Sequence, residues 1–157
     1  MKIFGKATIN PALFYSGKIC GYITWFLLGL SLLSISLLRG LSYESTRIAS
    51  LVFLYIGLLF VVLSLINLGK STRLGLPSED TLLKTDGIYR YSRNPMYLGF
   101  NLITLASIFY NIHMIIVILG LFSIIIYHAI ILGEERFLEK RFRKDYLEYK
   151  ERTRRYF

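Results

Sequence analysis

Four apolar runs decide what this chain can become. Residues 22–38, 48–68, 95–110 and 112–132 contain no Asp, Glu, Lys or Arg. Each approaches or reaches the roughly 17–25 residues that a helix needs to cross a bilayer. The runs are continuous and do not alternate, which disfavours a transmembrane β-barrel. With 54% hydrophobic residues and a mean hydropathy of +0.51, the chain is too apolar for an ordinary soluble domain of its size. The expected fold is all-α: a polytopic membrane helical bundle of about four transmembrane helices plus a C-terminal amphipathic helix. The first run is longer than the apolar core of a secretory signal, and no Ala-x-Ala site follows it, so it is expected to remain as a helix. Cys20 is the only cysteine. That excludes an internal disulfide and argues against a thiolate metal site.

The net charge of +9 is concentrated at the borders of the runs. Three Lys or Arg precede the first run, two lie in the first loop and five in the second. None lies between the third and fourth runs, and nine follow the last. The positive-inside rule then puts both termini and the second loop in the cytoplasm. The basic tail suits attraction to anionic lipid. Nucleic acid is not an expected partner, because the basic residues are tied to membrane borders.

The whole chain reads as one integral membrane domain, with an N-terminal helical hairpin over 1–68 and a core over 69–157. Asn10-Pro11 marks a break, beyond which Leu13, Phe14 and Tyr15 either lie in the interface or extend the first helix. Gly29, Ser31, Ser34, Ser36, Gly57 and Ser64 would let the hairpin's helices pack closely. Residues 69–94 form the only sizeable internal polar segment, and a loop this long in so small a protein is usually functional. At its end, Asn94-Pro95 is a favourable helix start, Asn as N-cap and Pro at the first helical position. The third helix is expected over 95–110, and a very tight turn with Asn111 and His113 makes helices three and four an antiparallel hairpin. His113 reads as an interface residue in that turn. After the fourth run, Leu138, Phe142, Tyr146 and Tyr149 recur at helical spacing. That predicts a helix that lies on the membrane or folds back over the polar loop.

The hairpin brings its two polar ends together. Tyr89, Arg90, Tyr91, Arg93, Asn94 and Tyr97 precede or open the third helix, and Glu134 and Glu135 leave the fourth on the same side. Polar groups at this depth are costly unless they bind something. A helix N-terminus accepts an anion, a carboxylate accepts an ammonium or hydroxyls, and tyrosine rings stack on a base or face a cation. S-adenosylmethionine combines all of these parts. His128, inside the fourth run, reads first as a hydrogen-bonded packing residue and stands among the candidates beside the cofactor. No Gly-rich phosphate loop or Rossmann fingerprint is present.

The pattern Gly87-x-Tyr89-Arg90-x-x-Arg93-Asn94-Pro95-x-Tyr97-x-Gly99, followed by Glu134-Glu135-x-x-Leu138-x-x-x-Phe142-x-x-x-Tyr146-x-x-Tyr149, resembles the isoprenylcysteine carboxyl methyltransferase family. That family belongs with the phospholipid N-methyltransferases among integral membrane methyltransferases. The resemblance covers about residues 66–155. It implies an S-adenosylmethionine-dependent methyl transfer to a lipophilic acceptor, an isoprenylcysteine-type carboxylate being the namesake substrate, with S-adenosylhomocysteine as product. It implies a cofactor pocket lined by Arg93, Asn94, Pro95, Tyr97, Gly99, Glu134 and Glu135, beside which Tyr89 and His128 stand as further cofactor-binding candidates. For catalysis, Arg90 or Arg93 would neutralise an acceptor carboxylate, and Glu134 or Glu135 would orient the cofactor. Asn94 stands where many members have His, and Arg143 stands where the tail often has Gly. The expected partners are the bilayer and a lipophilic or lipidated acceptor. Two other readings stay open: an NADPH-dependent enzyme related to sterol reductases, and a non-enzymatic scaffold or transporter subunit.

Overall fold

The computed structural model describes residues 8–35, 37–38, 40–41, 43–69 and 83–156. Among them are four helices, α1 (Pro11–Leu32), α2 (Glu44–Leu68), α3 (Pro95–Tyr110) and α4 (Met114–Arg152), and one 3₁₀ turn, Gly87–Arg90. The expected polar segment 69–94 lies partly outside the described residues, from 70 to 82. No strand occurs among the described residues; a single antiparallel bridge joins Leu41 to Ile112. The fold is an all-α membrane bundle.

The helix ends follow local chemistry. Asn10 accepts a hydrogen bond from the Ala12 N–H at 2.9 Å, and Pro11 occupies the first helical position. α1 therefore starts well before the apolar run and takes in Leu13, Phe14 and Tyr15. It stops at Leu32, short of residue 38. The α3–α4 turn is as tight as expected, and His113 caps α4, its Nδ1 accepting from the Ile115 N–H. α4 then runs on through the charged region to Arg152. Arg143 interrupts it with φ 44° and ψ −112°, and the last turns change direction there.

α1, α2 and α4 are long and apolar enough to cross a membrane. α3 has 16 residues, about 24 Å of helix against a hydrocarbon core of about 30 Å. It sits at the centre, packed on α2, α4 and α1. α1 and α2 do not form the expected packed hairpin. α1 packs chiefly on α4, and α2 on α3. In lipid, sequence neighbours gain nothing from hydrophobic contact alone, so close approach and hydrogen bonds choose the partners. Gly57 and Gly99 make the α2–α3 crossing, where a Cβ on either would come within 2.9 Å of the other's carbonyl oxygen. Gly29, expected at a helix interface, has nothing within 4 Å of its Cβ position. Ser34 lies beyond α1, and Ser36 lies outside the described residues. Polar groups tie α3 to its neighbours: Ser50 Oγ donates to the Ala106 carbonyl at 2.7 Å, Ser107 Oγ to the Thr24 carbonyl at 2.7 Å, and Trp25 Nε1 to Thr104 Oγ1 at 2.8 Å. The outer face of α2, with Leu51, Tyr55, Leu58, Val62 and Ile66 exposed, is left for lipid.

Candidate active site

The 3₁₀ turn begins with Gly87 at φ 60°, a left-handed conformation that favours glycine, with the Asn67 side chain of α2 packed against it. This turn buries Tyr89. Burial pushes the Tyr89 hydroxyl up to about 12, with a hydrogen bond to Ser64 opposing. The kink at Arg143 brings the end of α4 back over the turn. Tyr149 Oη donates to the Tyr89 carbonyl at 2.5 Å, and Thr153 Oγ1 to the Arg90 carbonyl at 3.3 Å. The following strap, residues 153–156, lies alongside residues 90–94. The Arg93 N–H donates to the Arg154 carbonyl at 3.0 Å, and Ser92 Oγ to the Arg155 carbonyl at 3.2 Å. Of the two routes open to the tail, folding back is the one taken, and its target is the 3₁₀ turn.

Glu135 is the hub of this region and is 5% exposed. Its Oε1 accepts from Arg93 Nη2 at 3.1 Å, Arg93 Nε at 3.2 Å and Asn94 Nδ2 at 3.2 Å. Its Oε2 accepts from Arg155 Nη2 at 2.9 Å and Nε at 3.0 Å. These bonds to Glu135 hold the Arg155 guanidinium above its ordinary pKa. Arg93 Nη1 also donates to the carbonyls of Lys150 and Thr153, at the negative end of α4. Such a clamp is held together because each buried charge has a partner; removing one strands the others.

Glu134 points elsewhere. Its Oε1 accepts from Tyr97 Oη at 2.7 Å, and no hydrogen bond from a described residue reaches its Oε2. It interacts electrostatically with Lys18 of α1. The Lys18 ammonium lies 4.3 Å from the Phe14 ring centroid and forms no ion pair with a described residue. Behind Tyr97 stand Phe100, Tyr127 and Trp25 in edge and tilted contacts of 5.2–6.0 Å. This side of the site offers one carboxylate oxygen, one ammonium and an aromatic wall.

The structure thus brings Tyr89, Arg93, Asn94 and Glu135 into one cluster, with Pro95 buried beside it, and Tyr97 and Glu134 into a second. Asn94 departs from its expected local role: its side chain does not cap α3 but donates to Glu135 and to the Arg155 carbonyl. Three other candidates lie apart. The Arg90 side chain is exposed and only its carbonyl is used. Gly99 faces Gly57. His128 is exposed, its Nδ1 2.6 Å from Tyr156 Oη and its ring stacked on that tyrosine. Tyr91 is 74% exposed. Six contributors are not singled out by the sequence: Lys18, Thr153, Arg155 and the wall residues Trp25, Phe100 and Tyr127. Lys18 gives one signal, an i, i+4 spacing from Phe14 on an otherwise uncharged helix. The strap gives none, since its irregular backbone has no periodicity.

A family model described as phospholipid methyltransferase matches residues 45–145. No curated protein and no solved structure matches the chain.

Proposed function

Since the chain belongs to the phospholipid methyltransferase family, a membrane methyltransferase family acting on lipophilic substrates, we propose that its methyl donor is S-adenosylmethionine and that Glu134, Tyr97 and Lys18 hold it. The observation that carries this reading is the division of labour between adjacent carboxylates. Glu135 has both oxygens occupied by Arg93, Asn94 and Arg155, whereas Glu134 keeps one for a ligand. The donor set fits a zwitterion with an aromatic group. Glu134 would accept from the ammonium, Lys18 or the outer edge of Arg155 would pair with the carboxylate, and the Tyr97–Phe100–Tyr127 wall would take the apolar and cationic parts.

When bound, S-adenosylmethionine supplies an electrophilic methyl group whose leaving group is a neutral thioether. The protein's task is then alignment and exclusion of water, and a well-oriented pair of reactants gains several powers of ten in rate from orientation alone. Glu135 acts as a positioning residue: it fixes Arg93 and Asn94 at the start of α3 and draws the strap across them. The acceptor enters from the lipid, and the site faces the cytoplasm by the charge distribution of the loops. A carboxylate or thiolate acceptor is already an anion and needs no base.

The test is calorimetry on the detergent-purified protein with S-adenosylhomocysteine, and with NADPH as the control. Saturable binding of the first alone is expected. Glu134→Gln keeps an acceptor for Tyr97 but removes the charge, and should weaken binding by at least about tenfold, the cost of losing one charge-assisted contact. Binding of NADPH instead, or an unchanged affinity in Glu134→Gln, overturns the assignment.

A further inference from the structure

A second site lies on a different face of α4. Residues 129, 132, 133, 136, 137 and 140 follow one another at helical spacing and form one stripe. The chain before α1 crosses this stripe: Thr8 Oγ1 donates to the Ile130 carbonyl at 3.4 Å, and Gly133 is so close to Thr8 that a Cβ there would meet it at 2.7 Å. Between the two walls is a groove of about 530 Å³. Its floor is apolar, made by Ile9, Ala129, Leu132 and Phe137, and one end carries Arg136 and Lys140. Glu135 lies about 100° around the helix from Arg136, so the groove is separate from the carboxylate clamp.

Depth fixes what the groove meets. From Met114, Arg136 is about 33 Å along the helix and Lys140 about 39 Å, against a hydrocarbon core of about 30 Å and roughly 40–45 Å with the headgroups. Ala129 and Leu132, at about 23 and 27 Å, therefore lie at acyl-chain depth, and Arg136, Phe137 and Lys140 lie at headgroup depth. Neither cation makes an ion pair with a described residue. The seven residues before Thr8 add Lys2 and Lys6 and no acid, so the charge that complements Arg136 and Lys140 comes from outside that segment. We propose that the groove binds one anionic phospholipid of the surrounding bilayer, its phosphate between Arg136 and Lys140 and an acyl chain along Ile9, Ala129, Leu132 and Phe137. This lipid is a fixed ligand of the outer face of α4 and pins the N-terminal segment against it.

The experiment titrates the full-length protein, in a neutral detergent, with dioctanoylphosphatidylglycerol, dioctanoylphosphatidylcholine and inorganic phosphate, read by calorimetry. Saturable binding of the glycerol lipid is expected, with the choline lipid and free phosphate at least about tenfold weaker, as the loss of a charge-assisted or an apolar contribution implies. Arg136→Gln/Lys140→Gln should lose at least about tenfold for the anionic lipid, and Ala129→Trp, which fills the floor, a similar amount. Monodisperse, helical protein is the control for folding; if the double variant fails it, the single variants carry the same expectation at about threefold each. Equal affinity for the two lipids, an unchanged affinity in the folded charge variants, or free phosphate binding as tightly as lipid would each overturn the proposal. S-adenosylhomocysteine binding should be unchanged in all of these variants, so failure here and failure of the methyl-donor site are read separately.

Discussion

The chain contains the dipeptide Asn-Pro twice, at 10–11 and 94–95, and each time it opens a helix at the proline. At Asn10 the side chain turns inward to the helix and accepts from Ala12. At Asn94 the same side chain turns away and donates to Glu135, 41 residues downstream, while the Asn94 N–H is taken by Ser92 Oγ at 3.2 Å. Identical local signals thus start each helix at the proline, but with different Asn backbones (φ −49°, ψ 125° at Asn10; φ −131°, ψ 50° at Asn94) and different side-chain duties. What separates them is the distant chain: α1 begins at a half-open edge, whereas α3 begins under Glu135 and the strap. A helix-start signal fixes where the helix begins, and the tertiary partner decides whether the side chain remains a cap or becomes part of a site.

Removing Glu135 breaks the second region most completely. Glu135→Ala takes the counter-charge from Arg93, whose side chain is 7% exposed, and from Arg155. A buried pair broken on one side costs about 3–5 kcal/mol. Equilibrium unfolding in mixed micelles should show a loss of that size, and the strap should become susceptible to protease. A variant as stable as the parent would mean that Glu135 is not a structural hub, and the contrast with Glu134 would collapse. Glu134→Gln, by comparison, should leave stability almost unchanged.

The next step separates the two asparagines. Serine caps a helix about as well as asparagine, but its short hydroxyl cannot span the distance that Asn94 Nδ2 covers to Glu135. Asn94→Ser should therefore cost about 1.5 kcal/mol, the value of a hydrogen bond to a charged group. Asn94→His, which restores an N–H donor of similar reach, should recover most of it. If Asn94→Ser is harmless while Asn94→His is not, Asn94 acts as a cap after all, and the difference between the two regions disappears.

How far the sequence reveals this arrangement depends on the range of each interaction. The bundle, the bounds of α3 at Pro95 and Tyr110, and the tight α3–α4 turn follow from apolar runs and capping residues, all of which act within a few positions. The meeting of the 89–97 segment with Glu134 and Glu135 follows from the hairpin alone. The hidden parts are long-range. Lys18 counts in the sequence as one more basic residue at a membrane border, because its neighbour Glu134 is 116 residues away. Pairing of α2 with α3 instead of α1 depends on the Gly57–Gly99 approach, which no periodicity announces. Gly99 stands inside the candidate motif, but the need for glycine there is met by helix packing. The strap escapes notice because Thr153–Tyr156 is held by backbone carbonyls and one carboxylate, and irregular backbone has no pattern to read.

The strap reaches Asn94 only because α4 bends at Arg143, where φ is 44°. A non-glycine residue held in such a region costs about 1–3 kcal/mol, and glycine would avoid most of that while paying about 0.5–1 kcal/mol in chain entropy. Arg143→Gly should therefore stabilise the protein by about 1 kcal/mol and leave the Glu135 clamp intact. A loss of stability would mean that the Arg143 side chain, not only its backbone, holds the bend. This variant strengthens the distant half of the comparison without touching either asparagine.

The smallest effect belongs to Asn10→Ser. The Asn10 side chain has one partner, the Ala12 N–H, and a serine hydroxyl serves that donor equally well. The two residues rank together as N-caps, so the expected change is within about 0.5 kcal/mol, in either direction. Asn10→Ala, which removes the acceptor, should cost about 1 kcal/mol. The pair is informative because the backbone around Pro11 is the same in all three proteins. If serine proves as costly as alanine at Asn10, then the first Asn-Pro step also carries a side-chain duty beyond its own helix, and the asymmetry between the two starts would have to be sought in the segment before Thr8.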